Sequence, residues 1–291
     1  MNKITRKTGV ATVLTCIALT LGACGSAENV GPSKFAEGTK MASIASKGEL
    51  TVGTLSTYPL LGMRGLGTYT GFDIEIAKQI AKRLGISEDH INFVPVTTPT
   101  REAFLAQGKV DLVTAGYAMT KERAKVIDFA GPYLNAPNGL YTKADSPIAN
   151  FSDLQGKSLC AINGSVQQTY LDEHYPEIKL TLFDTSAKCA DAVLNGQVDA
   201  ATTERTVLAG FVHESAGKLK ALDVSYLEDN NYGIGVTKTD DKVFCKWIND
   251  QLTDMYQDGS WAKAYKDTLG TGLGDTPEPP KIRSCDNSVS Q

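Results

Sequence analysis

"LAQGKVDLVTAG", Leu105 to Gly116, and "VLNGQVDAATTE", Val193 to Glu204, share one grammar: a helix end, a stopping glycine, then Val-Asp leading into a short apolar strand. Glycine ends helices because it enters the left-handed region without a Cβ clash. The echo reads as one helix-to-strand unit used once in each of two lobes. Five residues past Asp111 and Asp199 stand Gly116 and Glu204, at or just beyond the C-terminal ends of the two strands. In open α/β sheets, ligands bind outside those ends.

The flanking sequence extends the pattern. "ELTVGT" (Glu49 to Thr54) is a short apolar strand, and "GFDIEIAKQIAKRLGI" keeps Ile76, Ile80 and Leu84 at helical spacing, with Asp73 placed to cap the start and Gly85 to end it. "INFVPV" is strand-like, and Thr98 with Pro99 opens a helix that closes at Gly108. Strands alternating with helices predict an α/β lobe with a mainly parallel, helix-covered sheet. The chain starts afresh at "SDLQGKSLCAINGS", and "NNYGIGVTK" (Asn230 to Lys238) leads back as an extended segment. A helix then buries Phe244, Trp247, Ile248, Leu252, Met255 and Tyr256 on one face, and Ser260 is expected to cap a last helix. Lobe 1 is thus expected over 48–140 and 234–270 and lobe 2 over 141–233, with two extended crossings forming a hinge. The Pro-rich tail, 271–291, is expected to be neither helix nor central strand, pinned by Cys285.

Residues 1–23 read as a signal peptide: Lys3, Arg6 and Lys7 precede an apolar run too short to span a bilayer. Its ending "LGAC" resembles the lipobox of bacterial lipoproteins, which would make Cys24 a lipid-bearing N-terminus. Residues 24–47 are expected to be a lipidated flexible tether. Without the signal, 26 basic residues face 33 acidic ones, a formal charge of −7 that argues against nucleic acid as a partner. Of six cysteines, Cys160, Cys189, Cys245 and Cys285 remain after Cys16 and Cys24 are set aside. An even number in an oxidising compartment predicts two disulfides; three pairings are possible, and chain order favours Cys160 with Cys189 and Cys245 with Cys285. The close cysteine pairs of zinc sites are missing, so no metal is expected.

Candidate ligand-binding residues follow from the strand ends. Arg123 in "MTKERAKVIDF" offers a planar fork for a carboxylate, with Thr120 and backbone N–H groups beside it at a helix start. The bland alternative is a surface arginine paired with Glu122 or a neighbour. Glu204 is expected to accept from an ammonium group; otherwise it is a solvated helix-start acid. "NGSVQ" offers amides and the Ser165 hydroxyl, Tyr58 an aromatic face, and Arg101 a second cation. A cation on one wall and an anion on the other suit a small zwitterion.

From about Glu49 to Gly270 the run "LTVGT…GFDIEIAK…GKVDLVTA…MTKERAKVIDF…PY…DLQGK…GS…GQVDA…YGIGV…DGSW" resembles the polar amino acid substrate-binding proteins of ABC importers, the family-3 extracellular solute-binding proteins of glutamate/glutamine-binding type. The resemblance implies a two-lobed periplasmic-binding-protein type II fold and capture of an amino acid for permease subunits, by a monomer with no cofactor. It assigns the ligand carboxylate to Arg123 and its ammonium to Glu204, gives Arg101 a side-chain carboxylate, and adds Gly116, Ala118 and Val166 to the site. A bridge between Cys160 and Cys189 is also implied. The sequence departs from the family where Ala118 and Val166 replace hydroxyl residues, Glu204 replaces Asp, and Leu55 replaces a polar residue.

The expected mechanism is capture by closure, with no catalytic residue. A secreted dehydratase or lyase on the same scaffold is the enzyme rival, but no G-x-S-x-G or H-E-x-x-H occurs and His90, His174 and His213 are scattered. A sensor lipoprotein serving a membrane receptor is the other.

Overall fold

The computed structural model describes residues 34–222, 224–227, 230–287 and 289; the signal segment and Cys24 lie outside the described residues. Ten strands build two sheets. Lobe 1 holds β1 (Leu50–Thr54), β2 (Ile91–Pro95), β3 (Leu112–Thr114) and β4 (Ile127–Asn135). Lobe 2 holds β5 (Asn138–Lys143), β6 (Ser158–Ile162), β7 (Lys179–Phe183), β8 (Ala200–Glu204) and β9 (Leu219–Leu222), after which β10 (Asn231–Thr237) returns to lobe 1. The orders are β2-β1-β3-β10-β4 and β7-β6-β8-β5-β9, the same plan twice. In each sheet one strand opposes the other four, and it is the strand arriving from the other lobe: β10 in the first, β5 in the second. Each sheet is therefore mixed, with two parallel and two antiparallel pairings, although four of its five strands run the same way.

The Val-Asp echo has a structural cause. Asp111 Oδ2 accepts from Thr51 N at 2.8 Å, and Asp199 Oδ2 accepts from Ser158 N at 2.8 Å. Each aspartate thereby ties the start of its own strand to the start of the neighbouring parallel strand, β3 to β1 and β8 to β6. This sets the register that brings the opposite strand ends level.

Helices cover the sheets: α1 (Lys40–Lys47), α2 (Phe72–Leu84), α3 (Arg101–Ala106), α4 (Lys121–Ala124), α5 (Val166–His174), α6 (Ser186–Leu194), α7 (Arg205–Glu214), α8 (Val243–Gln257), α9 (Ser260–Asp267) and α10 (Gly270–Leu273). Ile76, Ile80 and Leu84 of α2 are buried, each such side chain contributing about 1.5–3 kcal/mol by leaving water. Gly85 ends α2 in the left-handed region. The cap of α2 differs from expectation: Gly71 holds that position, because a Cβ there would lie 2.5 Å from the Leu61 carbonyl. Asp73 is turned inward instead. Gly259 likewise replaces Ser260 as the cap of α9. The buried face of α8 is Phe244, Ile248, Leu252 and Met255, with Trp247 and Tyr256 half-buried beside it.

The expected tether is corrected from Thr39 onward. Residues 40–47 form α1, capped by the Thr39 hydroxyl, which accepts from Ala42 N at 3.2 Å; Met41 and Ile44 are buried in the core. Two apolar residues three apart are a faint signal, but they suffice once a core is there to cover them. The tail is corrected too, since Thr271 to Leu273 belong to the one-turn helix α10. The chain leaves the first sheet where β4 ends at Asn135 and the second where β9 ends at Leu222, earlier in the chain than the 140/141 and 233/234 divisions read from sequence. Disulfides join Cys160 to Cys189 within lobe 2 and Cys245 to Cys285 within lobe 1, the pairing chain order favours.

Candidate functional site

The C-terminal ends of β1, β3, β6 and β8 converge on one cavity between the lobes, with about 370 Å³ of space not filled by atoms, part of it open to solvent. Arg123, Arg101, Gly116, Ala118, Tyr58 and Leu55 line it from lobe 1, and Glu204, Ser165 and Val166 from lobe 2. The two arginines and Glu204 are the charged residues among those lining it.

Arg123 sits in α4, whose cap Thr120 accepts from Arg123 N at 3.2 Å. Thr120 does not line the cavity, so its place is to fix the helix start that carries the arginine. The Arg123 fork donates from Nη1 to the Ala118 carbonyl at 2.8 Å and from Nη2 across the cleft to the Gly164 carbonyl at 3.0 Å. Burial first, and Arg101 second, push its pKa down to about 10, which leaves it cationic at neutral pH. Its acidic neighbour is Glu102, 3.5 Å from Nε.

Arg101 is 2% exposed. Its Nη1 donates to the carbonyls of Ala115 (3.0 Å) and Gly116 (3.4 Å), and its guanidinium lies over the Tyr117 ring. Its Nε has no hydrogen-bond partner among the described residues, Glu102 being 3.9 Å away. A buried cation whose fork is incompletely paired is costly unless an anion completes it.

Gly116 has φ +51° and donates its N–H to Asp73 Oδ2 at 2.7 Å, while Tyr133 Oη donates to Asp73 Oδ1 at 2.6 Å. The Gly116 amide is thus held from behind. Burial pushes the Asp73 carboxyl up to about 7, against the opposing pull of these two bonds and of Arg101.

Glu204 occupies the cap position of α7 without bonding the helix through its side chain. Its Oε1 accepts from Asn230 Nδ2 at 3.3 Å and its Oε2 from Thr203 Oγ1 at 3.1 Å. Ser165 caps α5, accepting from Gln168 N at 3.1 Å. Tyr58 reaches lobe 2, where its hydroxyl accepts from Ser186 N at 3.1 Å.

Several lining residues went unread in the sequence. Gln167 is 2% exposed and donates from Nε2 to Asn138 Oδ1 at 2.6 Å. Ser186, Thr203, Val207 and Tyr232 also line the cavity. Gln167 and Thr203 adjoin residues that were singled out and were within reach of the strand-end argument. Ser186 and Tyr232 are brought in by packing and carry no local signal.

Two α/β lobes built on mixed sheets, joined by two passages and enclosing a charged cavity at their strand ends, define a type II periplasmic binding protein. The chain belongs to the bacterial extracellular solute-binding proteins, family 3, whose model matches residues 50–271. It is similar to the glutamate-binding protein GluB of Corynebacterium efficiens, at 29% identity over 91% of either chain. It is 34% identical to the ABC transporter glutamine-binding protein GlnH of Bacillus subtilis, over 84% of this chain and 90% of the relative. Among solved structures it resembles a solute receptor for L-cysteine of Neisseria gonorrhoeae, with a TM-score of 0.77, 28% identity, and coverage of 84% of this chain and 100% of that one.

Proposed function

We propose that this chain captures an acidic amino acid, of the glutamate or aspartate type, outside the cytoplasmic membrane and presents it in closed form to an ABC permease. The observation that carries the choice is Arg101. In a zwitterion the α-carboxylate would satisfy Arg123 and the ammonium Glu204, leaving Arg101 as a buried, incompletely paired cation on the cavity wall. A second carboxylate completes it. Leu55 and Val166 supply apolar surface for the carbons between. The names of the glutamate- and glutamine-binding relatives support the amino acid class.

In this reading the ligand bridges walls belonging to different lobes, and its differential affinity for the closed arrangement drives closure. The relatives named above are binding proteins, and the reading needs no chemical step. Cys24, in this proposal, carries the lipid that keeps the protein at the outer membrane face; incorporation of labelled palmitate that is lost in Cys24→Ala would support it.

The deciding experiment is calorimetric titration of the purified full chain with L-glutamate, L-aspartate, L-glutamine, L-cysteine and L-arginine. The acidic pair is expected to bind best. Tighter binding of glutamine than of glutamate would overturn the acidic assignment, and silence to every amino acid would overturn the capture reading.

A further inference from the structure

Outside the cavity, the lobes touch backbone to backbone. A Cβ built at Gly210, in the middle of α7, would lie 2.3 Å from the Pro59 carbonyl oxygen, 2.9 Å from its carbonyl carbon and 3.1 Å from its Cβ. Pro59 belongs to the loop after β1 in lobe 1 and Gly210 to lobe 2. Beside them Gly272 of α10 packs on the Leu60 side chain, where a Cβ would stand 2.7 Å from Leu60 Cδ1 and 3.6 Å from the Ala209 carbonyl. None of these residues lines the cavity, although Tyr58 and Val207, close by on the same two elements, do.

Gly210 does not have the positive φ that would require a glycine. A glycine inside a helix is otherwise a poor choice, since alanine is favoured there. The close approach of Pro59 is the feature that explains it. Nor can the neighbour yield easily, because the atoms met are main-chain atoms of a proline whose ring fixes φ.

We infer that Gly210 sets how far the two lobes can close, and so tunes affinity without touching the ligand. A methyl at this position must hold the backbones about 1 Å further apart than they lie here. The separation would loosen the grip of Arg123 and Glu204, which reach the ligand from opposite sides. The inference rests on the capture-by-closure reading.

The test uses the full chain with Gly210→Ala and Gly210→Val, L-glutamate as the probe, and a fluorophore pair at the exposed positions of Lys82 in lobe 1 and Lys179 in lobe 2. With the lobes apart, alanine no longer meets Pro59, the source of its three nearest contacts, and it favours the helix. The ligand-free melting temperature of Gly210→Ala should therefore equal or exceed that of the wild type. Its Kd for glutamate should rise by about tenfold or more. The shortest lobe-to-lobe distance of the saturated wild type should not be reached, least of all by Gly210→Val. Unchanged distance and Kd would overturn the inference; so would a ligand-free melting temperature that falls in step with affinity, since the contact would then belong to the resting fold. If the wild type ignores glutamate, the acidic assignment fails separately. Ligand-free distance distributions then decide: loss of the shortest distances in Gly210→Val supports the wedge, and identical distributions refute it.

Discussion

The guanidinium carbon of Arg101 lies 3.8 Å from the centre of the Tyr117 ring. Arg123 flanks the same ring at 5.6 Å, so one aromatic side chain spaces two like charges that share Glu102 as their acidic neighbour. A desolvated cation–π contact of this kind is worth about 2 kcal/mol, and it also fixes the plane of the fork. Lysine reproduces the charge but neither the stacking nor the paired donors. Arg101→Lys is therefore expected to weaken L-glutamate binding by at least tenfold, with a smaller effect on L-glutamine. Equal losses for the two ligands in calorimetry would show that Arg101 does not read the side-chain carboxylate.

Arg123 and Glu204 should behave as a pair split between lobes. Removing one partner of a buried charged contact costs about 2–5 kcal/mol, so Arg123→Ala and Glu204→Gln are each expected to remove most of the ligand-induced rise in melting temperature. At 100 times the wild-type Kd that rise corresponds to about 2.7 kcal/mol. Glu204→Asp should retain part of it, being shorter by one methylene. A full thermal shift in Arg123→Ala would take this arginine out of the site.

Asp73 gives the fold a pH dependence of unusual sign. Its folded pKa, about 7, lies above its ordinary 3.8, so between these values the native state binds more protons than the unfolded chain. By linkage, stability then falls as pH rises through that window and stays reduced above it, by an amount on the order of a few kcal/mol. Asp199 and Asp258, whose pKa values are lowered by hydrogen bonds, act oppositely, losing stability only at lower pH. Urea midpoints should accordingly be lower at pH 8 than at pH 5. Asp73→Asn should flatten the difference; an unchanged pH profile in that variant would exclude Asp73 as its origin.

The two disulfides close loops with separations of 29 and 40 residues, one in each lobe. Each should contribute about 3–4 kcal/mol in the chain-entropy model. Because they are distant and share no partner, Cys189→Ser with Cys160→Ser and Cys285→Ser with Cys245→Ser should lower stability additively. Chemical denaturation of the two paired variants and their combination checks this.

The architecture was legible where periodicity and punctuation agree. The Val-Asp echo found both sheets because each aspartate performs the same hydrogen-bonding task, and such a task leaves a motif. Helix ends at Gly85 and starts at Ser165 and Thr120 were equally local. The inward turn of Asp73 was hidden, since it depends on Leu61 crowding Gly71 and on Gly116 and Tyr133 arriving from distant strands. Of the wall, residues at strand ends could be named from spacing. Tyr232 and Ser186 could not, because contacts remote in sequence bring them to it, Tyr232 beside Gly116 and Ala118 and Ser186 beside Thr203.

The path of the chain fixes where this molecule can be held. Helix α1 near the start of the described residues packs against α2, and the tail returns to the same lobe, where Asn249 and Cys245 fasten it near Arg283 and Cys285. A leash pulled from either end would therefore load this half first, while α10, where Gly272 lies beside Ala209, passes part of the strain to the opposite half.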